Sequence, residues 1–69
     1  MQELQVRSRI VSSVYFDPND GRLRIVFRNG EERIFDKVPE RSALELVSAP
    51  SPGNYYIDHI RTRFRRVAA

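Results

Sequence analysis

The chain has no cysteine and no tryptophan, a single lysine, a single histidine and three glycines in its 69 residues. Without cysteine, neither a disulfide framework nor a thiolate metal site can supplement the core. The lone histidine, His59, holds no metal unless several carboxylates converge on it, and the nine acids are scattered without ligand spacing. No metal and no other cofactor is expected. No apolar run approaches the about 18 residues of a membrane span. The N-terminal Met-Gln-Glu-Leu-Gln carries no secretory signal pattern. These absences predict a soluble, cytoplasmic chain with no membrane partner.

Catalytic constellations are missing too. Ser12-Ser13 would need a base within reach, and no glycine elbow surrounds either serine. Gly21, Gly30 and Gly53 each have a turn or cap to serve, which leaves no phosphate-cradling loop. An enzyme is not expected. A chain of this length makes one domain, and a single core of that size supplies about 3–5 kcal/mol of net stability.

What is present is arginine. Net charge is +3, and all but one of the twelve cations are arginine. Its planar fork suits phosphates, carboxylates and stacking on bases, which lysine does poorly. A GC-rich genome would raise the arginine count without selecting any partner, so placement has to separate the two explanations.

Residues 1–8 alternate weakly and read as a flexible arm or a short edge strand, ahead of a single domain over 9–69. A first strand is predicted over about 9–16, with Ile10, Ser12, Val14 and Phe16 facing one way. Asp17-Pro18-Asn19-Asp20-Gly21 is dense turn chemistry. A second strand follows over about 22–28, with Leu23, Ile25 and Phe27 inward and Arg22, Arg24 and Arg28 outward. Asn29-Gly30 marks a second hairpin, whose register has two solutions. A two-residue turn pairs Phe27 with Glu32 and puts Ile34 inside. A three-residue loop, Arg28-Asn29-Gly30, pairs Phe27 with Glu31 and puts Phe35 inside. The second is preferred because it buries the larger ring in the third strand, about 31–36.

Val38-Pro39-Glu40 then starts a helix over about 39–49, with Ala43, Leu44 and Val47 on one side and Leu46 flanking. Pro50 stops it. Ser51-Pro52 starts a second helix predicted to run over about 52–66. The expected fold is α+β: an antiparallel three-stranded meander with two C-terminal helices packed on one face. Its core would comprise Ile10, Val14, Phe16, Leu23, Ile25, Phe27, Phe35, Val38, Leu44, Val47, Ile57, Ile60 and Phe64.

On the last helix, Tyr56, Ile57, Ile60, Phe64 and Val67 form one apolar stripe. Arg61 and Arg65 lie on one flank near Asp58, and Tyr55, His59, Arg63 and Arg66 on the other. Cations with aromatic faces could hold phosphates and stack bases. The plainer reading is that cations in a last turn favour the helix dipole by ~0.3–1 kcal/mol each. The outer sheet face offers a secondary surface of Tyr15, Arg24 and Arg28, although Tyr15 opposite Arg24 also reads as an ordinary cross-strand pair.

With these segments placed, the chain resembles the KTSC domain, a module of about this length. The matching residues are Ser12-Ser13, Leu23-x-Ile25-x-Phe27 followed by Asn29-Gly30, Val38-Pro39, Ala49-Pro50-Ser51-x-Gly53, and Tyr55-Tyr56-x-x-x-Ile60-Arg61. Their order and spacing hold over roughly residues 10–64. The family's usual Tyr-x-Tyr motif, ending three residues before Val-Pro, is replaced by Arg33-Ile34-Phe35. Its usual asparagine after the second aromatic of the last helix is Ile57 here. The resemblance implies a small bacterial or phage protein, or an appendage of lysyl-tRNA synthetases, with an RNA-binding role and no catalysis. Two functions are therefore expected in competition. One is an RNA-binding module acting through the basic C-terminal helix. The other is a protein-interaction module using the outer sheet face, with no nucleic-acid ligand.

Overall fold

Two turns set the topology. In the first, Asp17 Oδ1 accepts the Asn19 N–H at 2.9 Å, Asp20 Oδ1 accepts the Arg22 N–H at 3.0 Å, and the Gly21 N–H closes onto the Asp17 carbonyl at 2.9 Å. Gly21 has φ +73°, and a Cβ there would meet the Val38 backbone nitrogen at 3.0 Å, so only glycine fits. In the second, the Gly30 N–H reaches the Phe27 carbonyl at 3.0 Å, with Gly30 at φ +91°. The Phe27 N–H bonds the Glu31 carbonyl at 2.8 Å, and Leu23 pairs with Phe35. This is the three-residue loop, and Phe35 is buried as its register requires.

The computed structural model describes residues 1–67; the last two residues of the expected 9–69 domain lie outside the described residues. The architecture is α+β, but the sheet has five strands rather than three: β1 (Gln2–Leu4), β2 (Val11–Asp17), β3 (Arg22–Phe27), β4 (Glu32–Phe35) and β5 (Arg66–Val67). They lie in chain order, each antiparallel to its neighbours. The meander gains one short strand at each edge. Gln2–Leu4 pairs with Val14–Phe16, and Val67 pairs with Ile34. Helix α1 (Glu40–Ser48) and helix α2 (Pro52–Tyr55) share one apolar core with the sheet's inner face. Among the described residues no helix is long and apolar enough to cross a membrane.

The core corrects three of its expected members. Ile10 is 53% exposed and Val11 fully buried. The cause is Ser8, whose Oγ accepts the N–H groups of both Ile10 and Val11 at 3.0 Å, holding residues 9–10 in a turn. β2 therefore starts at Val11, and a bulge before Ser13 brings Val11 and Val14 to the same face. The displaced Ile10 side chain lies against Gly53, where a Cβ would meet its Cδ1 at 2.8 Å. In α1 the buried residues are Ala43 and Leu46, leaving Leu44 exposed, because Ala43, Leu46 and Val47 form the face that meets the sheet. Ile57 is also exposed, for a reason that lies in the last helix.

That helix is shorter than expected. Ser51 caps it, its Oγ accepting the Asn54 N–H at 3.4 Å, with Pro52 in the first turn. After Tyr55 the backbone widens into a π turn over Tyr56–Ile60, closed by the Arg61 N–H on the Tyr56 carbonyl at 2.8 Å. The wider turn buries Tyr56 and Ile60 and rotates Ile57 outward. The chain then leaves the helix, the Arg65 carbonyl accepts the Asp36 N–H at 3.2 Å, and Arg66–Val67 joins the edge of β4. Edge pairing satisfies backbone groups of β4 that a continued helix would leave open.

Candidate functional site

The early end of the helix redistributes the arginines. Arg63 stays beside Tyr55 and His59, whereas Arg66 moves with β5 to the other side, where it joins Arg61. The expected flank of Tyr55, His59, Arg63 and Arg66 is therefore divided between two clefts, and Arg65 lines neither.

The larger cleft, about 650 Å³, is a groove at the end of the sheet's inner face that α1 leaves open. Arg9, Arg28, Arg33, Arg61 and Arg66 line it against one acid, Glu31. Each arrives by a different local cause. Arg9 is brought by the Ser8 turn. Arg28 begins the three-residue loop, so it leaves the sheet instead of joining the outer face as expected, and its Nε donates to the Ser8 carbonyl at 3.0 Å. Arg33 lies opposite Ile25 in β4, on the inner face just where the helices stop covering it. Arg61 follows the π turn, and Arg66 sits in β5.

The apolar part of the groove is formed by Phe27, Tyr56, Ile10 and Ile57. Phe27 and Tyr56 meet edge to face with ring centroids 5.1 Å apart, and Tyr56 meets Phe35 the same way at 6.0 Å. Both places where the sequence departs from the family pattern, Arg33-Ile34-Phe35 and Ile57, contribute residues to this groove.

The arginines differ in their partners. Among the described residues, Arg22, Arg24, Arg33 and Arg41 are in ion pairs, with Asp20, Glu32, Glu31 and Glu45. Of the seven other arginines, four (Arg9, Arg28, Arg61 and Arg66) converge on the groove.

The smaller cleft, about 390 Å³, has a different balance. Tyr55 and His59 lie against each other with ring centroids 4.6 Å apart. The Tyr55 hydroxyl donates to Glu45 Oε2 at 2.9 Å, and Arg41 Nε donates to Glu45 Oε1 at 2.9 Å. The Arg41 and Tyr55 hydrogen bonds hold the Glu45 carboxyl below its ordinary range. Desolvation of the phenol, with the neighbouring Glu45 charge, pushes Tyr55 up. Ser42 and His59 also line this cleft, but the carboxylate is engaged by Tyr55 and Arg41, so no Ser–His–acid relay is wired. Among the described residues no group of three or more His, Asp or Glu is gathered to hold a metal ion.

On the outer face, Tyr15 pairs with Arg24, whose guanidinium carbon lies 5.4 Å from the ring centroid. The same Arg24 donates through Nε to the Glu32 carboxylate. Its cation is satisfied within the sheet, as an ordinary cross-strand arrangement. Arg9 and Arg33 line the groove but are not among the candidate residues that the sequence singles out. Only Ser8, read as a turn former, could have flagged Arg9. Arg33 was legible once the three-residue loop fixed the faces of β4.

No curated protein sequence matches the chain. Among solved structures it is similar to a KTSC domain protein from Yersinia pestis, with a TM-score of 0.86 and 29% identity over 99% of this chain and 96% of that one. The KTSC domain family model matches residues 7–64, which takes in β2, β3, β4 and both helices and leaves out the two short edge strands, with Arg66 in the second of them. The chain belongs to the KTSC domain family.

Proposed function

We propose that the chain is a small non-enzymatic module that binds RNA, and that the binding surface is the arginine-lined groove rather than one flank of the last helix. The observation that carries this reading is the convergence of Arg9, Arg28, Arg61 and Arg66 on one apolar-floored groove with Glu31 as its lone acid, itself tied to Arg33 at 2.9 Å. Multiple unneutralised guanidinium groups suit a polyanion, and arginine suits phosphate in particular. The smaller cleft is a poorer site, because one of its two arginines, Arg41, is already paired with Glu45, which leaves Arg63 alone without a carboxylate among the described residues.

Affinity for single-stranded RNA, measured by fluorescence anisotropy across a salt series, tests the reading. Four engaged phosphates on a single strand give a log–log slope of about −3. Absence of binding at low salt would reject it. The rival is protein contact through the outer sheet face, where Val26, Ile34 and Val67 are half-buried and no element packs over them among the described residues. A partner bound by that apolar strip would be nearly indifferent to salt.

A further inference from the structure

We infer that the groove takes one unpaired nucleotide, extruded from a single strand, with its base inserted against the apolar wall and its flanking phosphates on the rim. This rests on the RNA reading and adds to it a form of ligand. A site for phosphates alone needs only cations at a surface, and this groove is built with more. Among the described residues four large hydrophobics are exposed, and two of them, Ile10 (53%) and Ile57 (42%), line it next to half-buried Phe27. Aliphatic side chains left in water beside several arginines contribute nothing to phosphate binding. They do contribute to covering the face of a base, which is apolar above and below its plane.

The arginines also divide by how they are held. Arg33 is fixed: one terminal nitrogen donates to Glu31 Oε2 at 2.9 Å and the other to the Glu32 carbonyl at 2.7 Å. Two bonds from one guanidinium set its plane, and an oriented guanidinium is a stacking surface for a base. Arg61 and Arg66 have no ion pair among the described residues, and their side chains can follow a phosphate backbone. A volume of about 650 Å³ lies within the usual ~300–1,000 Å³ of a small-molecule cleft. A duplex, whose bases are stacked inward, could touch only the rim.

The test is anisotropy of the full chain with three labelled RNAs of equal length: a single-stranded oligouridylate, its abasic counterpart, and a blunt duplex. Base insertion predicts that the oligouridylate binds about 5–150-fold more tightly than either of the others, the range that stacking one base provides. Ile57→Ser and, independently, Ile10→Ser should each weaken oligouridylate binding several-fold while leaving the abasic RNA unchanged. Both positions are exposed, and an unchanged melting curve for either variant shows that the fold is intact. Equal affinity for all three RNAs would overturn base insertion and leave RNA binding in place. Binding to none of them at low salt would overturn both.

Discussion

Tyr55 and Tyr56 are adjacent in sequence and open onto two clefts that differ chiefly in how many of their arginines are left without a carboxylate among the described residues. Tyr55 lines a cleft together with Glu45, which already binds its hydroxyl and Arg41. Tyr56 forms the floor of a groove whose acid, Glu31, is held at one side by Arg33 and whose remaining arginines lack carboxylates among the described residues. Both clefts combine arginine with aromatic rings, so composition does not distinguish them. What distinguishes them is whether the charge is already satisfied. A helical wheel gives each flank of the last helix two arginines and would not separate the sides, whereas the early end of the helix moves Arg66 to the groove and leaves Arg63 as the one arginine of the Tyr55 cleft without a carboxylate among the described residues.

The two tyrosines should respond very differently to truncation. Tyr56 is buried and meets both Phe27 and Phe35 edge to face. Tyr56→Ala should cost about 3–5 kcal/mol, comparable to the whole stability of a domain this size, and denaturant unfolding would report it. Tyr55→Phe, which removes only the hydroxyl bonded to Glu45, should leave the melting temperature nearly unchanged.

The clefts themselves can be set against each other next. Replacing Arg28, Arg61 and Arg66 with glutamine should weaken single-stranded RNA binding by about 10–100-fold at low salt and make the salt slope shallower by about 2. Replacing Arg41 and Arg63 removes charge from the other cleft and should change affinity by no more than about threefold, the share left to long-range attraction. Equal losses per charge would mean that the molecule attracts RNA only as a diffuse cation.

The smallest effect lies in the balanced cleft and is a matter of pH. Glu45 is held below the ordinary carboxylate range, so the unfolded chain binds that proton more readily than the folded one. Its contribution to stability is present above the ordinary value and fades as pH falls through the lowered folded value. Tyr55 is held high, so its contribution is present below the ordinary tyrosine value of about 10 and is lost as pH rises through the folded value. Tyr55→Phe should return the Glu45 carboxyl part of the way towards its ordinary titration, read by NMR. An unmoved Glu45 titration would show that Arg41 alone holds it down.

Much of this was legible in the residues themselves. Turn chemistry located both hairpins, and the preference for burying Phe35 selected the correct register for β4. Ser51-Pro52 located the second helix start. The misreadings have a common origin in events that interrupt a period. The Ser8 turn and the bulge before Ser13 shifted the phase of β2, which exchanged Ile10 for Val11 in the core. The π turn broke the 100° periodicity of the last helix, exposing Ile57 and releasing the chain to form β5. Neither event leaves a glycine or proline as a marker, and β5 becomes favourable only once β4 offers an edge. The groove was therefore visible as separate arginines and not as a site, because Arg9, Arg61 and Arg66 reach Arg28 and Arg33 only through those interruptions.

The most direct measurement is an amide NMR titration of the isotopically labelled chain with a short single-stranded RNA. Binding in the groove predicts shifts concentrated at Arg9, Ile10, the Arg28–Arg33 segment, Ile57, Arg61 and Arg66, with Arg41, Glu45, His59 and Arg63 nearly still. Shifts concentrated instead at Glu45, Tyr55, His59 and Arg63 would contradict the account and return the site to the flank of the helix.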